Sequence, residues 1–112
     1  MKREFIITKI FDRRWAELGL TDENLRLLQN HVLANPGVGN MIGGTGGLMK
    51  LRWNLPNEGK SGGIRVLYVD FIYYEKIVLV NCYSKSAKDT ISSKEKAMYK
   101  GFIKEIRKEL EQ

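Results

Sequence analysis

The stretch of sequence from Met41 to Lys85, MIGGTGGLMKLRWNLPNEGKSGGIRVLYVDFIYYEKIVLVNCYSK, decides the fold of this protein. It contains three apolar runs rich in β-branched and aromatic residues, and runs of this kind bounded by glycine or polar residues are typical of β-strands. The predicted strands are Leu48–Trp53, Gly62–Phe71 and Ile77–Tyr83. Because side chains alternate along a strand, residues two apart in each run are expected to share one face of a sheet.

Cations interrupt these apolar strands, and the period of two places some of them together. Lys50 and Arg52 share a face of the first strand, and Arg65 lies at the start of the second. Tyr83 and Lys85 share a face at the end of the third strand. If neighbouring strands pair, these side chains converge within reach of one phosphate, which predicts a small basic site on one sheet face.

The segment before this sheet predicts one strand and two helices. Glu4–Ile10 is typical of a strand, and Asp12–Leu18 has the apolar spacing of a short helix that ends at Gly19. Thr21 is the predicted N-cap of a second helix, which stops at the Asn-Pro-Gly run of residues 35–37. The predicted buried stripe of the second helix consists of Leu25, Leu28, Val32 and Leu33.

A third helix follows the sheet and completes the predicted fold. Ser92 and Glu95 have the spacing of a capping box, which marks the beginning of this helix. Its predicted buried stripe recurs every four residues and consists of Met98, Phe102, Ile106 and Leu110. The element order is therefore β-α-α-β-β-β-α, an α+β fold with a mainly antiparallel curved sheet and helices packed against it. A chain of 112 residues predicts a single domain spanning residues 1–112.

Composition and charge limit the classes of function. The net charge of +6 and the pI near 9.5 indicate a polyanionic partner, either nucleic acid or an acidic protein segment, although a solvated basic surface gives the same values. The apolar runs are shorter than the roughly 18 residues of a transmembrane helix. The first residues lack the apolar core and cleavage site of a signal peptide, so we expect a cytoplasmic protein.

Several common kinds of chemistry lack the residues they need. The one histidine, His31, lies within an amphipathic helix and is predicted to be a surface or boundary residue, and the one cysteine, Cys82, is predicted to be a small core residue. The sequence therefore predicts no disulfide, metal site or cofactor. The glycine-rich residues 43–47 are followed by a strand and not by Gly-Lys-Ser/Thr and a helix, so we interpret them as backbone that bends into a strand and not as a nucleotide loop.

A basic site of this composition suits RNA cleavage. The 2′-OH of RNA attacks its own adjacent phosphate, so a protein needs to supply neither the nucleophile nor a metal ion. It needs cations for the phosphate oxygens, which arginine contacts in a bidentate way, and groups that move protons. Lysine and tyrosine are able to move protons, and a large partner that bends the RNA into line contributes the rest of the geometry.

Three segments together resemble the RelE/ParE toxin superfamily, and most closely its HigB-type branch. They are Gly43–Arg52, then Gly59–Tyr68 with its Gly-Gly-Ile-Arg run, and finally Tyr83–Lys85 before a basic C-terminal helix. The resemblance covers nearly the whole chain in element order. It implies a RelE-like fold and a ribosome-dependent endonuclease that cleaves mRNA in the ribosomal A site and inhibits translation. It also implies a cognate antitoxin, of helix-turn-helix type, encoded beside the toxin.

The resemblance also implies which residues form the site. Arg65 is the expected stabiliser of the phosphate in the transition state, Lys50 and Arg52 are expected to orient the RNA backbone, and Lys85 or Tyr83 is expected to transfer the proton. Some relatives carry a catalytic histidine near the C-terminal end, and this chain has none there, so the general acid stays open. The expected catalytic residues are therefore Arg65, Lys85, Tyr83 and Lys50, and the expected RNA-binding residues are Arg52, Lys60 and Lys88.

Two other functions are compatible with the same fold. One is a ParE-like toxin that inhibits DNA gyrase and cleaves nothing, and the other is a non-catalytic basic RNA-binding module. Several cations on one sheet face favour RNA cleavage over gyrase inhibition, because an inhibitor that binds a protein does not need them.

Overall fold

The computed structural model describes residues 2–54, 63–88 and 90–112, and these residues form one mixed sheet with three helices. In chain order the elements are β1 Glu4–Ile7, α1 Lys9–Glu17, α2 Asp22–Ala34, β2 Asn40–Met41, β3 Met49–Trp53, β4 Ile64–Phe71, β5 Lys76–Ser84 and α3 Ser93–Leu110. The strand order across the sheet is β1-β5-β4-β3-β2. β1 runs parallel to β5 and the other pairs are antiparallel, which confirms the predicted α+β class.

Both faces of the sheet are covered, and the two cores contain different helices. On one face α1 and α2 contribute Phe11, Trp15, Leu28 and Val32 to a cluster that we call the α1–α2 core. On the other face α3 contributes Tyr99 and Ile103 to a cluster that we call the α3 core. Because β4 and β5 lie between the two cores, nearly all of their side chains are buried, which explains their continuous apolar sequences.

The predicted first strand is too long and the predicted first helix begins too late. β1 ends at Ile7, and α1 begins at Lys9 and not at Asp12. The reason is Thr8, whose extended backbone and hydroxyl group make it the N-cap: its Oγ1 accepts a hydrogen bond from the backbone N–H of Phe11 at 3.0 Å. The end of α1 at Gly19 (φ +77°), the N-cap Thr21 and the capping box of Ser92 and Glu95 are confirmed.

The predicted buried stripes are partly wrong. In α3 the residues that face the core are Tyr99, Ile103, Ile106 and Leu110, whereas Met98 and Phe102 are exposed. In α2 Leu28 and Val32 are buried as predicted, but Leu33 is exposed. Four residues are more than one 3.6-residue turn of a helix, so each step of a strict i, i+4 series rotates about 40° past a full turn and the series does not stay on the core face.

Connections between the strands complete the fold. The connection between β4 and β5 is a short 3₁₀ helix, Ile72–Tyr74, closed by Glu75 in the left-handed region at φ +56°. The short strand β2 was not predicted, because glycines surround its two residues in the sequence. Residues 55–62, between β3 and β4, lie outside the described residues, and so does the expected RNA contact Lys60. None of the helices in the described residues is long and apolar enough to span a membrane.

Candidate nucleic-acid interface

The strand register places Arg52, Arg65 and Tyr83 side by side across three strands. Arg52 of β3 is the Cα partner of Arg65 of β4, and Arg65 is the Cα partner of Tyr83 of β5. Directly opposed residues of antiparallel strands have Cα atoms about 5 Å apart and side chains on the same face. We call these three residues the cross-strand row. Arg52 and Arg65, two of the cations that the sequence analysis singled out, are thus direct neighbours beside the end of β5, whereas Lys50 pairs with Leu67 and lies outside the row.

A β-bulge in β5 is required for this arrangement. Leu67 pairs with Asn81, whereas the next residue of β4, Tyr68, pairs with Leu79, so Val80 is an extra residue in the ladder. Strict alternation from Leu79 would place Tyr83 in the α1–α2 core. The extra residue shifts the alternation and places Tyr83 in the α3 core, on the face of Arg65.

Arg65 is almost completely enclosed. Its exposed fraction is 3%, which is rare for arginine because a buried guanidinium group needs interaction partners. Arg65, Lys50 and Tyr83 each interact with other groups of the chain. Arg65 is therefore held in place by its surroundings, whereas its row neighbour Arg52 is exposed to solvent.

Gly63 sets the position from which β4 starts. Its φ of +66° is in the left-handed region, and a Cβ atom there would lie 2.3 Å from Asn54 Oδ1 and 2.4 Å from the carbonyl oxygen of Trp53. Its own carbonyl oxygen accepts a hydrogen bond from the backbone N–H of Lys85 at 3.3 Å. Gly63 therefore lets the start of β4 pack closely against the end of β3 and form a hydrogen bond with the turn after β5.

Lys85 is located differently from the expectation. β5 ends at Ser84 and Lys85 lies in the following turn, so Lys85 does not share a strand face with Tyr83 as predicted. The turn is closed by the backbone N–H of Ala87, which donates to the Ser84 carbonyl at 3.1 Å and to Ser84 Oγ at 3.2 Å. Lys85 is exposed beside the row, and it is held there through its backbone bond to Gly63.

Lys88 is tied to the row and to the beginning of α3. Its Nζ lies 5.6 Å from the centroid of the Tyr83 ring, within the range of a cation–π contact. The same Nζ forms an ion pair with Glu95, whose other carboxylate oxygen accepts the Ser92 backbone N–H at 3.0 Å. Glu95 was not predicted at the site. Its capping role is visible in the sequence, but its pairing with Lys88 depends on how α3 packs over β5.

The acidic residues of the sheet lie away from the row. Asp70, at the other end of β4, is five residues or about 17 Å from Arg65 along the strand. It accepts hydrogen bonds from Arg3 Nε at 2.8 Å and Arg3 Nη2 at 3.3 Å, and this pair joins β4 to the segment before β1. The Asp70 carboxylate is therefore already neutralised by a cation at its own end of the sheet.

The histidine and the cysteine lie on the opposite side of the sheet from the row. The exposed His31 lies on α2, with its ring centroid 5.0 Å from that of Trp53, on the opposite face of the sheet. Cys82 is fully buried as predicted, and burial raises the pKa of its thiol to about 12. Among the described residues there is no group of three or more histidine, cysteine, aspartate or glutamate side chains arranged for a metal ion.

A comparison with protein families gives the chain its assignment. The model of the RelE toxin of the RelE/RelB toxin–antitoxin system matches residues 3–112, a range that includes every strand and helix described above. The three-helix, five-strand arrangement is consistent with a RelE-like fold. The match implies a cognate antitoxin as partner. The chain belongs to the RelE toxin family, the toxins of toxin–antitoxin systems.

Proposed function

We propose that this toxin is a ribosome-dependent endonuclease of the HigB-type branch, which cleaves mRNA in the ribosomal A site and so inhibits translation. The observation that carries the proposal is the cross-strand row, in which two arginines and a tyrosine lie side by side on one sheet face. Lys50, two residues from Arg52, extends this basic face along β3. Within the row the exposed Arg52 offers hydrogen-bond donors to a phosphodiester, and the enclosed Arg65 adds positive charge directly beside it.

The proposed reaction uses the nucleophile of the substrate. The 2′-OH attacks the adjacent phosphate and the 5′-oxygen of the next nucleotide leaves, so the protein has to stabilise charge and move protons. Arg65 stabilises the phosphate oxygens in the transition state, and its enclosure strengthens this effect because water screens it little. The exposed Arg52 and the half-buried Lys50 bind the RNA backbone and guide it to Arg65.

Lys85 is the better placed of the two candidate proton-transfer groups. Its side chain is exposed beside the row, whereas Tyr83 has an exposed fraction of 6% and supports the ring contact with Lys88. Lys88 contributes positive charge that Glu95 partly compensates. Lys60 remains a proposed RNA contact and lies outside the described residues. The proposed partners are the ribosome with its mRNA, and a cognate antitoxin of helix-turn-helix type.

The lack of a histidine beside the row supports the proposed ribosome dependence. The row offers phosphate binders but lacks a histidine for proton transfer, because the one histidine lies on the opposite face. A ribosome that holds the message with its 2′-OH in line supplies the orientation that the toxin lacks.

The test is induction of the toxin followed by mapping of mRNA ends by primer extension, together with incubation of the purified protein with mRNA in the presence and absence of ribosomes. The proposal expects cuts at fixed positions within codons, and cleavage only when ribosomes are present. Intact messages with arrested DNA replication would instead support a gyrase inhibitor. Tight RNA binding without any cut would support a non-catalytic binding module.

A further inference from the structure

A second surface feature lies on the other side of β5 from the cross-strand row. A groove of about 310 Å³ runs between the beginning of α1 and the flank of α3, and the bulged part of β5 forms its floor. Three of its apolar side chains are well exposed, with exposed fractions of 42% for Ile10, 57% for Met98 and 39% for Phe102. Apolar side chains that line a concave surface and remain this exposed are typical of a site that a protein partner covers.

The polar groups in the groove are already hydrogen-bonded. Thr8 Oγ1 donates to the Val80 carbonyl at 2.9 Å and accepts from Phe11 N–H, while Asn81 Nδ2 donates to Tyr99 Oη at 3.1 Å and Asn81 Oδ1 accepts from Cys82 N–H at 2.8 Å. Small polar ligands are fixed in pockets by free donors and acceptors. The polar side chains of the groove floor are already hydrogen-bonded to other groups of this chain. The groove therefore suits the apolar side chains of a larger partner better than a small polar ligand.

Two exposed lysines, one on α1 and one on α3, flank the groove. Lys9 lines the groove, and Lys94, one helical turn before Met98, lies on the same flank of α3; both are exposed. Like charges facing each other disfavour pairing of two copies of this chain through the groove, and the net charge of +6 adds to this repulsion. An occupant with acidic side chains beside its apolar ones is complementary to these lysines.

We propose that this groove binds the cognate antitoxin, through a segment that places apolar side chains against Ile10, Met98 and Phe102 and acidic side chains near Lys9 and Lys94. The inference rests on membership of the toxin family and on the groove, and it does not depend on the proposed RNA cleavage. The groove lies on the β1 side of β5, whereas the row extends to β4 and β3. Antitoxin binding and toxin activity are therefore separable by mutation.

The apolar part is tested with the double variant Met98→Lys/Phe102→Lys and the purified antitoxin encoded with this chain, by titration calorimetry. Both side chains are exposed, so the fold is expected to remain, as checked by circular dichroism and thermal melting. We expect the variant to bind the antitoxin about thirtyfold more weakly or worse, the loss typical of a central apolar anchor. Ile72→Lys is the matched control, since Ile72 is 65% exposed in the turn before β5 and is expected to leave affinity unchanged.

The charged part is tested with Lys9→Glu/Lys94→Glu, which should weaken binding about tenfold and reduce the dependence of affinity on salt. Lys104→Glu, another exposed lysine of α3, is the control. Wild-type affinity in both double variants would overturn the proposal. It would also be overturned if light scattering shows that the toxin alone is a dimer which the apolar variant converts to a monomer, because the occupant would then be a second copy. Translation inhibition by the double variants without antitoxin should equal that of the wild type.

Discussion

Arg65 of β4 and Tyr83 of β5 are direct cross-strand partners on the α3 face of the sheet, although strict alternation along β5 would separate them. The extra residue at Val80 resolves this conflict, since it lets Val78 and Tyr83 enter the same core although they are five positions apart, an odd separation that strict alternation would place on opposite faces. Bulges redirect side chains in this way near functional sites. The proposed site therefore depends on the register in which β4 and β5 pair.

Replacing Arg65 by alanine is expected to reduce mRNA cleavage on the ribosome about a hundredfold, since removing one donor to a transition-state oxyanion raises the barrier by about 3 kcal/mol. The measurement is the rate of cleavage of a defined message on ribosomes. Arg26→Ala, an exposed arginine on α2, should leave the rate unchanged. If a folded Arg65→Ala variant cleaves at the wild-type rate, Arg65 does not take part in the reaction.

Replacing Lys85 by alanine is expected to slow mRNA cleavage without changing the stability of the protein. The side chain is exposed in the turn after β5, so the free energy of unfolding should change by less than about 0.5 kcal/mol. Loss of a proton-transfer group should slow cleavage about a hundredfold under single-turnover conditions. Lys100→Ala on the exposed side of α3 is the matched control. If Tyr83→Phe alone abolishes the reaction and Lys85→Ala does not, the tyrosine is the proton-transfer group.

Substitution of Gly63 by alanine should lower both stability and activity. The left-handed backbone and the 2.4 Å approach of the new Cβ to the Trp53 carbonyl oxygen predict a loss of about 2 kcal/mol or more in the free energy of unfolding, measured by urea denaturation. Gly43→Ala is the control, because a Cβ there meets no atom within 4 Å. Equal stability of the two variants would show that Gly63 does not set the start of β4.

The hydroxyl group of Tyr68 joins the segment before β2 to β4. It donates to the Pro36 carbonyl at 2.7 Å and accepts from Gly39 N–H at 3.0 Å, and burial raises its pKa. Tyr68→Phe leaves both backbone groups without this partner, so we expect a loss of about 1–3 kcal/mol in the free energy of unfolding. Tyr73→Phe, at an 88% exposed position, should have no effect.

Burial of Cys82 makes stability depend on alkaline pH. Its pKa of about 12 in the folded protein lies above the ordinary value of 9.0, so between these values the unfolded chain ionises while the folded protein does not. Stability is therefore complete below about pH 9 and is lost as the pH rises towards 12. From pH 8 to pH 10 the wild type should lose about 1.5 kcal/mol more than Cys82→Ala. Parallel losses in urea titrations of the two proteins would contradict this cause.

Local patterns in the sequence were sufficient for most elements of the fold. The three central strands, the N-cap at Thr21 and the capping box of Ser92 and Glu95 all depend on residues close to one another in the chain, so they were predicted correctly. The end of β1 was misplaced because Thr8, which fits a strand by propensity, is a helix N-cap in the structure. The sequence analysis singled out the cations Lys50, Arg52 and Arg65 because charged residues are conspicuous on apolar strands.

By itself, the sequence determined the class of the fold, the strands that carry the cations and the buried position of Cys82, since burial patterns and strand periods are local properties. Only the tertiary structure decided which face Tyr83 occupies, that Arg65 is enclosed while Arg52 is exposed, and that Glu95 holds Lys88. Pairing register, bulges and helix placement depend on contacts between residues distant in the chain. A one-residue change in register moves a side chain to the opposite face, so the sequence pattern cannot fix it.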